Sequence, residues 1–151
     1  MKINHPLMHN NFLNSDMNAV RKLIKNKNLI LTQSKKVLEF EKKWSKWLGI
    51  KYSVFVNSGS SANFISMLIL KSMFSKKKEI IVPTLTWVSD INSVIMSGFK
   101  PIFVDIDPKN LSMNQEEVLK KINKNTLAVF ITHVQGFNGL SDKFLKKIKN
   151  K

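Results

Sequence analysis

Residues 80–104 read IIVPTLTWVSDINSVIMSGFKPIFV, and this stretch decides the fold. Residues 80–82 and 101–104 are short apolar, β-branched runs, while residues 87–97 between them carry the spacing of a helix. Strands that are apolar on both faces need helices on both sides of their sheet. The same alternation extends outward. It predicts a strand at 52–56 and a helix at 60–71 before this stretch, then a helix at 114–122, a strand at 127–132 and a helix at 141–149 after it. Asn114 with Glu117 three residues later, and Ser141 with Asp142, read as helix starts. The expectation is an α/β domain with a largely parallel sheet flanked by helices, whose four-strand series leaves open edges.

Upstream the pattern is helical. Residues 17–25 place Val20, Leu23 and Ile24 on one side, and residues 35–48 repeat Val37, Phe40, Trp44, Trp47 and Leu48 at three- and four-residue steps. Gly49 stands where a left-handed residue ends such a helix. Trp44 and Trp47 read either as a ligand platform or as packing at a core or interface. The chain therefore divides into an N-terminal helical segment, 1–48, and a series of βα units, 49–151.

Composition narrows the chemistry. The 151 residues are 43% hydrophobic and 23% charged, a globular balance. With no cysteine there is no thiol nucleophile, disulfide or cysteine-ligated metal, and His5, His9 and His133 are the only imidazoles, so no metal site is expected. No apolar run reaches a membrane span and residues 1–11 lack a secretion signal, so the expected location is the cytoplasm. The net charge of +15 raises a nucleic-acid partner. Against it, Arg21 is the single arginine and the lysines are scattered, whereas base-edge readout leans on arginine forks.

Ligands of open α/β sheets gather at the carboxyl ends of the strands, and three loops there carry candidate residues. Asn57-Ser58-Gly59-Ser60-Ser61-Ala62 follows a strand and opens a helix. Its small residues, first-turn N–H groups and hydroxyls suit an anion such as phosphate, with Gly59 and Ser60 at the centre. It is neither a Walker loop nor a three-glycine dinucleotide fingerprint. The alternative is that Ser60 simply caps a helix. In the second loop, Val82 to Asp90, the Trp87 indole either stacks on a flat ring or packs at a helix start. The third, Thr132-His133-Val134-Gln135-Gly136-Phe137, offers His133 and Gln135 as either structural or near-site residues.

Together these stretches, with Leu31-Thr32-Gln33-Ser34, Phe40-Glu41 and Pro101-Ile102-Phe103-Val104-Asp105-Ile106-Asp107, resemble the DegT/DnrJ/EryC1/StrS family in order and across nearly the whole chain. The resemblance implies the N-terminal part of the large domain of a fold-type I transferase dependent on pyridoxal 5′-phosphate. It implies that Gly59 and Ser60 hold the cofactor phosphate, Ser60 replacing the family's usual threonine, and that Trp87 stacks on the pyridine ring. His133 and Gln135 match a loop near the active site, with weaker warrant for contact.

The family's pyridine-pairing acid and Schiff-base lysine are expected beyond Lys151. No catalytic residue is therefore nominated here, and the chain alone is expected not to turn over. The implied activity of the complete enzyme is amination of a nucleotide-linked keto sugar, with glutamate as donor, in amino-sugar or surface-polysaccharide synthesis, by a homodimer. A sugar dehydratase of the same family is the alternative. Outside that class stand an inactive remnant and a basic nucleic-acid-binding module.

Overall fold

The computed structural model describes residues 10–74 and 76–149. They form two compact units that divide in the sequence between Phe55 and Val56. In the first, α1 (Asn14–Ile24) starts where the Asp16 carboxylate accepts the Leu13 N–H at 2.9 Å, and it buries none of its residues. Helix α2 (Lys35–Leu48) ends as its sequence predicts. Gly49 lies at φ 71°, its N–H returns to the Lys46 carbonyl and the Ile50 N–H to that of Ser45, which closes the helix in a Schellman motif. Phe40, Trp44 and Trp47 form a ladder along α2, with ring centroids 5.9 and 4.9 Å apart, and Phe55 meets Phe40 edge-on at 5.5 Å.

The expected strand at 52–56 does not form. Among the described residues no strand pairs with it, and the Phe55 N–H donates instead to Glu41 Oε1 at 2.8 Å. Extended residues need a neighbouring strand to become sheet, and here a side chain takes the hydrogen bond that a ladder would have used.

In the second unit α3 (Gly59–Met73) is followed by β1 (Glu79–Pro83), α4 (Val88–Met96), β2 (Lys100–Val104), α5 (Gln115–Lys121), β3 (Thr126–Val129) and α6 (Asp142–Lys149). The three strands make one parallel sheet in the order β2-β1-β3, with Ile81 opposite Ile102 on one side and Val129 on the other. Strand β3 is shorter than the expected 127–132, although the Phe130 N–H still reaches the Ile81 carbonyl at 2.8 Å.

The central strand explains why its sequence is apolar throughout. Ile80 and Val82 point into a core with Met67, Val94 and Phe99 from the α3 and α4 side. Ile81 points the other way, into a core with Val104, Met113, Val118 and Phe144 on the side of α5 and α6. The period-2 alternation of a strand thus serves two cores, and helices cover both faces.

Both predicted helix starts are present. Asn114 Oδ1 accepts from the N–H groups of Glu116 and Glu117 at 3.1 and 3.2 Å, and Ser141 Oγ accepts from Phe144 N–H. Glu117 does not close a reciprocal box, because the Asn114 N–H goes to the Asp105 carbonyl and the Glu117 carboxylate pairs with Lys120 at 2.7 Å.

Strand β2 forms one margin of the sheet. Its Lys100 N–H and Val104 carbonyl bond toward β1, so alternation turns Pro101 and Phe103 outward. Pro101 has no N–H to offer, and Lys121 Nζ occupies the Phe103 carbonyl at 2.6 Å.

Candidate functional site

The three loops singled out in the sequence all belong to the second unit: the first opens α3 with no strand before it among the described residues, the second follows β1 and the third follows β3. In the first, the cap of α3 is Ser58 rather than Ser60. Ser58 Oγ accepts the Ser61 N–H at 3.2 Å, and the Ser61 hydroxyl is tied to Asn57 Oδ1 at 2.6 Å. Capping by Ser58 leaves Ser60 one place inside the helix. Its hydroxyl makes no hydrogen bond to the described residues, and the N–H groups of Gly59 and Ser60 donate to none of them.

These are the orphan donors of a helix first turn, where the helix dipole favours negative charge. That turn contains no acidic residue to oppose an anion. A Cβ placed on Gly59 would meet no atom within 4 Å, so the backbone there faces open space. The arrangement can take a phosphate through two backbone N–H groups and one hydroxyl.

Trp87 occupies the N-cap position of α4 but makes no capping bond, and its side chain contributes nothing to starting the helix. The residue is 72% exposed. It lines a cavity of about 350 Å³ together with Ser60 and Phe64 of α3 and Val88, Asn92 and Met96 of α4. The structure thus brings Ser60 and Trp87, 27 positions apart, to one cavity. An exposed indole beside a set of unpaired donors can bind a planar group that carries a phosphate.

His133 and Gln135 do not line that cavity. They lie in a turn beyond β3, where His133 Nδ1 accepts the Gly139 N–H at 3.0 Å, which places the proton of a neutral ring on Nε2. Gln135 adopts a left-handed backbone with φ 53°, followed by Gly136 at φ 81°. A glutamine in that region is strained, and the turn is held from outside by Gln115, whose Nε2 donates to the Gly139 carbonyl at 3.0 Å. His5 and His9 lie outside the described residues, and among those described no three acidic or histidine side chains form a metal-binding group.

Sequence reasoning assigns no role to Asp90, Asn63, Thr86 or Thr132, yet these four side chains join the three loops. Asp90 is buried and accepts from Asn63 Nδ2 at 2.6 Å, from the Thr86 hydroxyl, and from the Thr132 hydroxyl at 3.2 Å. An acid placed among the apolar residues of α4 was the available signal, because a buried carboxylate requires partners.

The profile of a single family spans residues 11–145. The protein belongs to the DegT/DnrJ/EryC1/StrS aminotransferase family. Among members of the DegT/DnrJ/EryC1/StrS group it is 30% identical over 138 residues to a GDP-4-keto-6-deoxy-D-mannose 3-dehydratase of Yersinia pseudotuberculosis, covering 89% of this chain and 35% of the relative. The Escherichia coli GDP-4-keto-6-deoxy-D-mannose-3-dehydratase with bound hydrated PLP superposes with a TM-score of 0.78 at 28% identity, over 87% of this chain and 34% of that one.

A Helicobacter pylori aminotransferase involved in pseudoaminic acid biosynthesis gives a TM-score of 0.80 at 25% identity, over 92% and 36% of the two chains. The chain spans about a third of the length of the relatives it matches. The α/β fold with its parallel sheet and flanking helices is that of the large domain of fold-type I transferases in the DegT/DnrJ/EryC1/StrS family.

Proposed function

We propose that this chain supplies the phosphate-holding and ring-stacking side of a pyridoxal-phosphate site, in an enzyme that acts on a nucleotide-linked keto sugar. The observation that carries the reading is the shared cavity of Ser60 and Trp87. The residues present fit the group: the Gly59 and Ser60 N–H groups and the Ser60 hydroxyl are free for a phosphate, and open space faces Gly59. When bound, the cofactor supplies an electron sink for bond cleavage at the carbon attached to its nitrogen. Gly59 and Ser60 hold its phosphate, and Trp87 orients the ring by stacking and excludes water from one face. His133 and Gln135, on the loop after β3, are the weaker near-site candidates and do not line the cavity of Ser60 and Trp87. Proton transfer at the reacting carbon is assigned to no residue of this chain.

Amination with glutamate as the donor is the first reading of the reaction, in a homodimer that serves amino-sugar or surface-polysaccharide synthesis. Dehydration of the sugar is the second, favoured by the dehydratases among the relatives. Supplying keto sugar and glutamate to the active enzyme separates them, since amination places nitrogen on the sugar and dehydration removes a hydroxyl.

The binding reading is tested with pyridoxamine phosphate, whose amine cannot condense with the chain's many lysines. Saturable binding displaced by inorganic phosphate is expected. Ser60→Ala should weaken it by about tenfold, the scale of one hydrogen bond to a charged group. Binding unchanged in both Ser60→Ala and Trp87→Ala rejects the assignment.

A further inference from the structure

We propose that Asp90 is a positioning residue that fixes the Trp87 indole relative to the Ser60 turn and holds the His133 loop in the same frame. As a statement about the cofactor site it rests on the function proposed above; as a statement about Trp87 it stands on the geometry alone. Asp90 is only 6% exposed and lines no part of the cavity, so it touches no ligand there. Its contacts instead reach α3 just past the first loop and one residue in each of the other two loops. Asn63, which donates to Oδ1 at 2.6 Å, lies one turn beyond Ser60 on α3. Thr86, which donates to Oδ2, immediately precedes Trp87, and the Asp90 N–H bonds to the Trp87 carbonyl at 3.0 Å. Trp87 is thereby held on both sides by one residue.

The third arm crosses to the loop after β3. Thr132, directly before His133, lies 2.7 Å from the Thr86 hydroxyl and 3.2 Å from Asp90 Oδ2. Two hydroxyl protons serve these three oxygen contacts. Thr132 donates to Thr86 and Thr86 to Asp90, which leaves the longer Thr132–Asp90 contact as the weaker branch. A buried carboxylate accepting from an amide and a hydroxyl chain is strongly directional, because losing a partner leaves charge unsatisfied in a poorly solvated place. An exposed indole has few contacts of its own to set its orientation, so its backbone anchors decide where it stands.

Fluorine NMR of the fluorotryptophan-labelled full chain provides the test. The three tryptophans give three resonances, and W87F identifies that of Trp87. Asp90→Asn and Thr132→Val are expected to shift or split the Trp87 resonance while leaving those of Trp44 and Trp47 in place. Thr132→Ser, which keeps the hydroxyl, restores the parent spectrum. Should Asp90→Asn fail to fold, the Thr132 pair decides alone.

A Trp87 resonance that is the same in the parent, Asp90→Asn and Thr132→Val overturns the proposal, as does a Thr132→Ser spectrum equal to that of Thr132→Val. Adding pyridoxamine phosphate to the parent gives the separate readout. If Trp87 does not respond, the cofactor reading fails, while the ligand-free comparison still judges Asp90. If it responds, Asp90→Asn should bind more weakly than the parent, because the indole is no longer held in place.

Discussion

Two glycines, one opening α3 and one in the loop after β3, illustrate opposite uses of a missing side chain. Gly59 faces open space, so Gly59→Ala should leave thermal stability nearly unchanged while, on the proposed function, reducing phosphate affinity, because the added methyl would stand in the space open to a phosphate. Gly139 is crowded, its Cβ position lying 3.0 Å from Ser112 Oγ and 3.1 Å from Ser112 Cβ. Gly139→Ala should therefore cost about 1–3 kcal/mol in chemical denaturation, the range for overpacking a buried site. The sequence singled out Gly59, Ser60 and Trp87 as a run of small residues at a helix start and an indole after a strand, and the structure brings Ser60 and Trp87 to one cavity. It left Asp90 unread, since one carboxylate in a helical pattern does not reveal three partners drawn from 63, 86 and 132. The cap at Ser58 rather than Ser60 turns on backbone dihedrals, and neighbouring serines look alike in sequence.

At the level of elements, β1 carries the most consequence, because its side chains alternate between both cores. Ile81→Ala should destabilise by about 2–5 kcal/mol, measured by urea denaturation, a large share of the stability of a domain this size. Helix α5 permits a finer comparison. Asn114→Ala removes the acceptor of two N–H groups and should cost about 1 kcal/mol. Glu117→Gln should cost less, because its partner Lys120 is reached at the solvent surface.

The hydrogen bond from Lys120 holds the Glu117 carboxyl below its ordinary range and raises the Lys120 ammonium above its own. The small contribution of the pair is thus present at neutral pH. On the acid side it is lost as pH falls through the folded-state titration of Glu117, and on the basic side as pH rises through that of Lys120. Comparing Glu117→Gln with the parent at neutral and acid pH checks this, since their difference should vanish in acid. Apart from α1, which starts at Asn14 rather than at 17, helices were readable here to within a residue or two, because caps and periodicity are local. Strand 52–56 was not, because a strand is made by its neighbour and the sequence does not say which neighbour is present.

Across the whole molecule, charge and apolar exposure pull in different directions. The +15 balance comes almost wholly from lysines, so duplex DNA should show no measurable retention at physiological salt in a titration, with binding emerging only at low salt. Among the described residues no helix is long and apolar enough to cross a membrane. Phe12, Trp47, Trp87 and Met96 are nevertheless exposed apolar side chains, a surface rich enough in them for self-association to be measured by sedimentation over a range of concentrations. The sheet itself meets that hazard unequally. With Pro101 unable to donate and Lys121 seated on the Phe103 carbonyl, the β2 margin is a poor template for a foreign strand, so runaway edge-to-edge stacking of the kind that seeds fibrils is disfavoured on that flank.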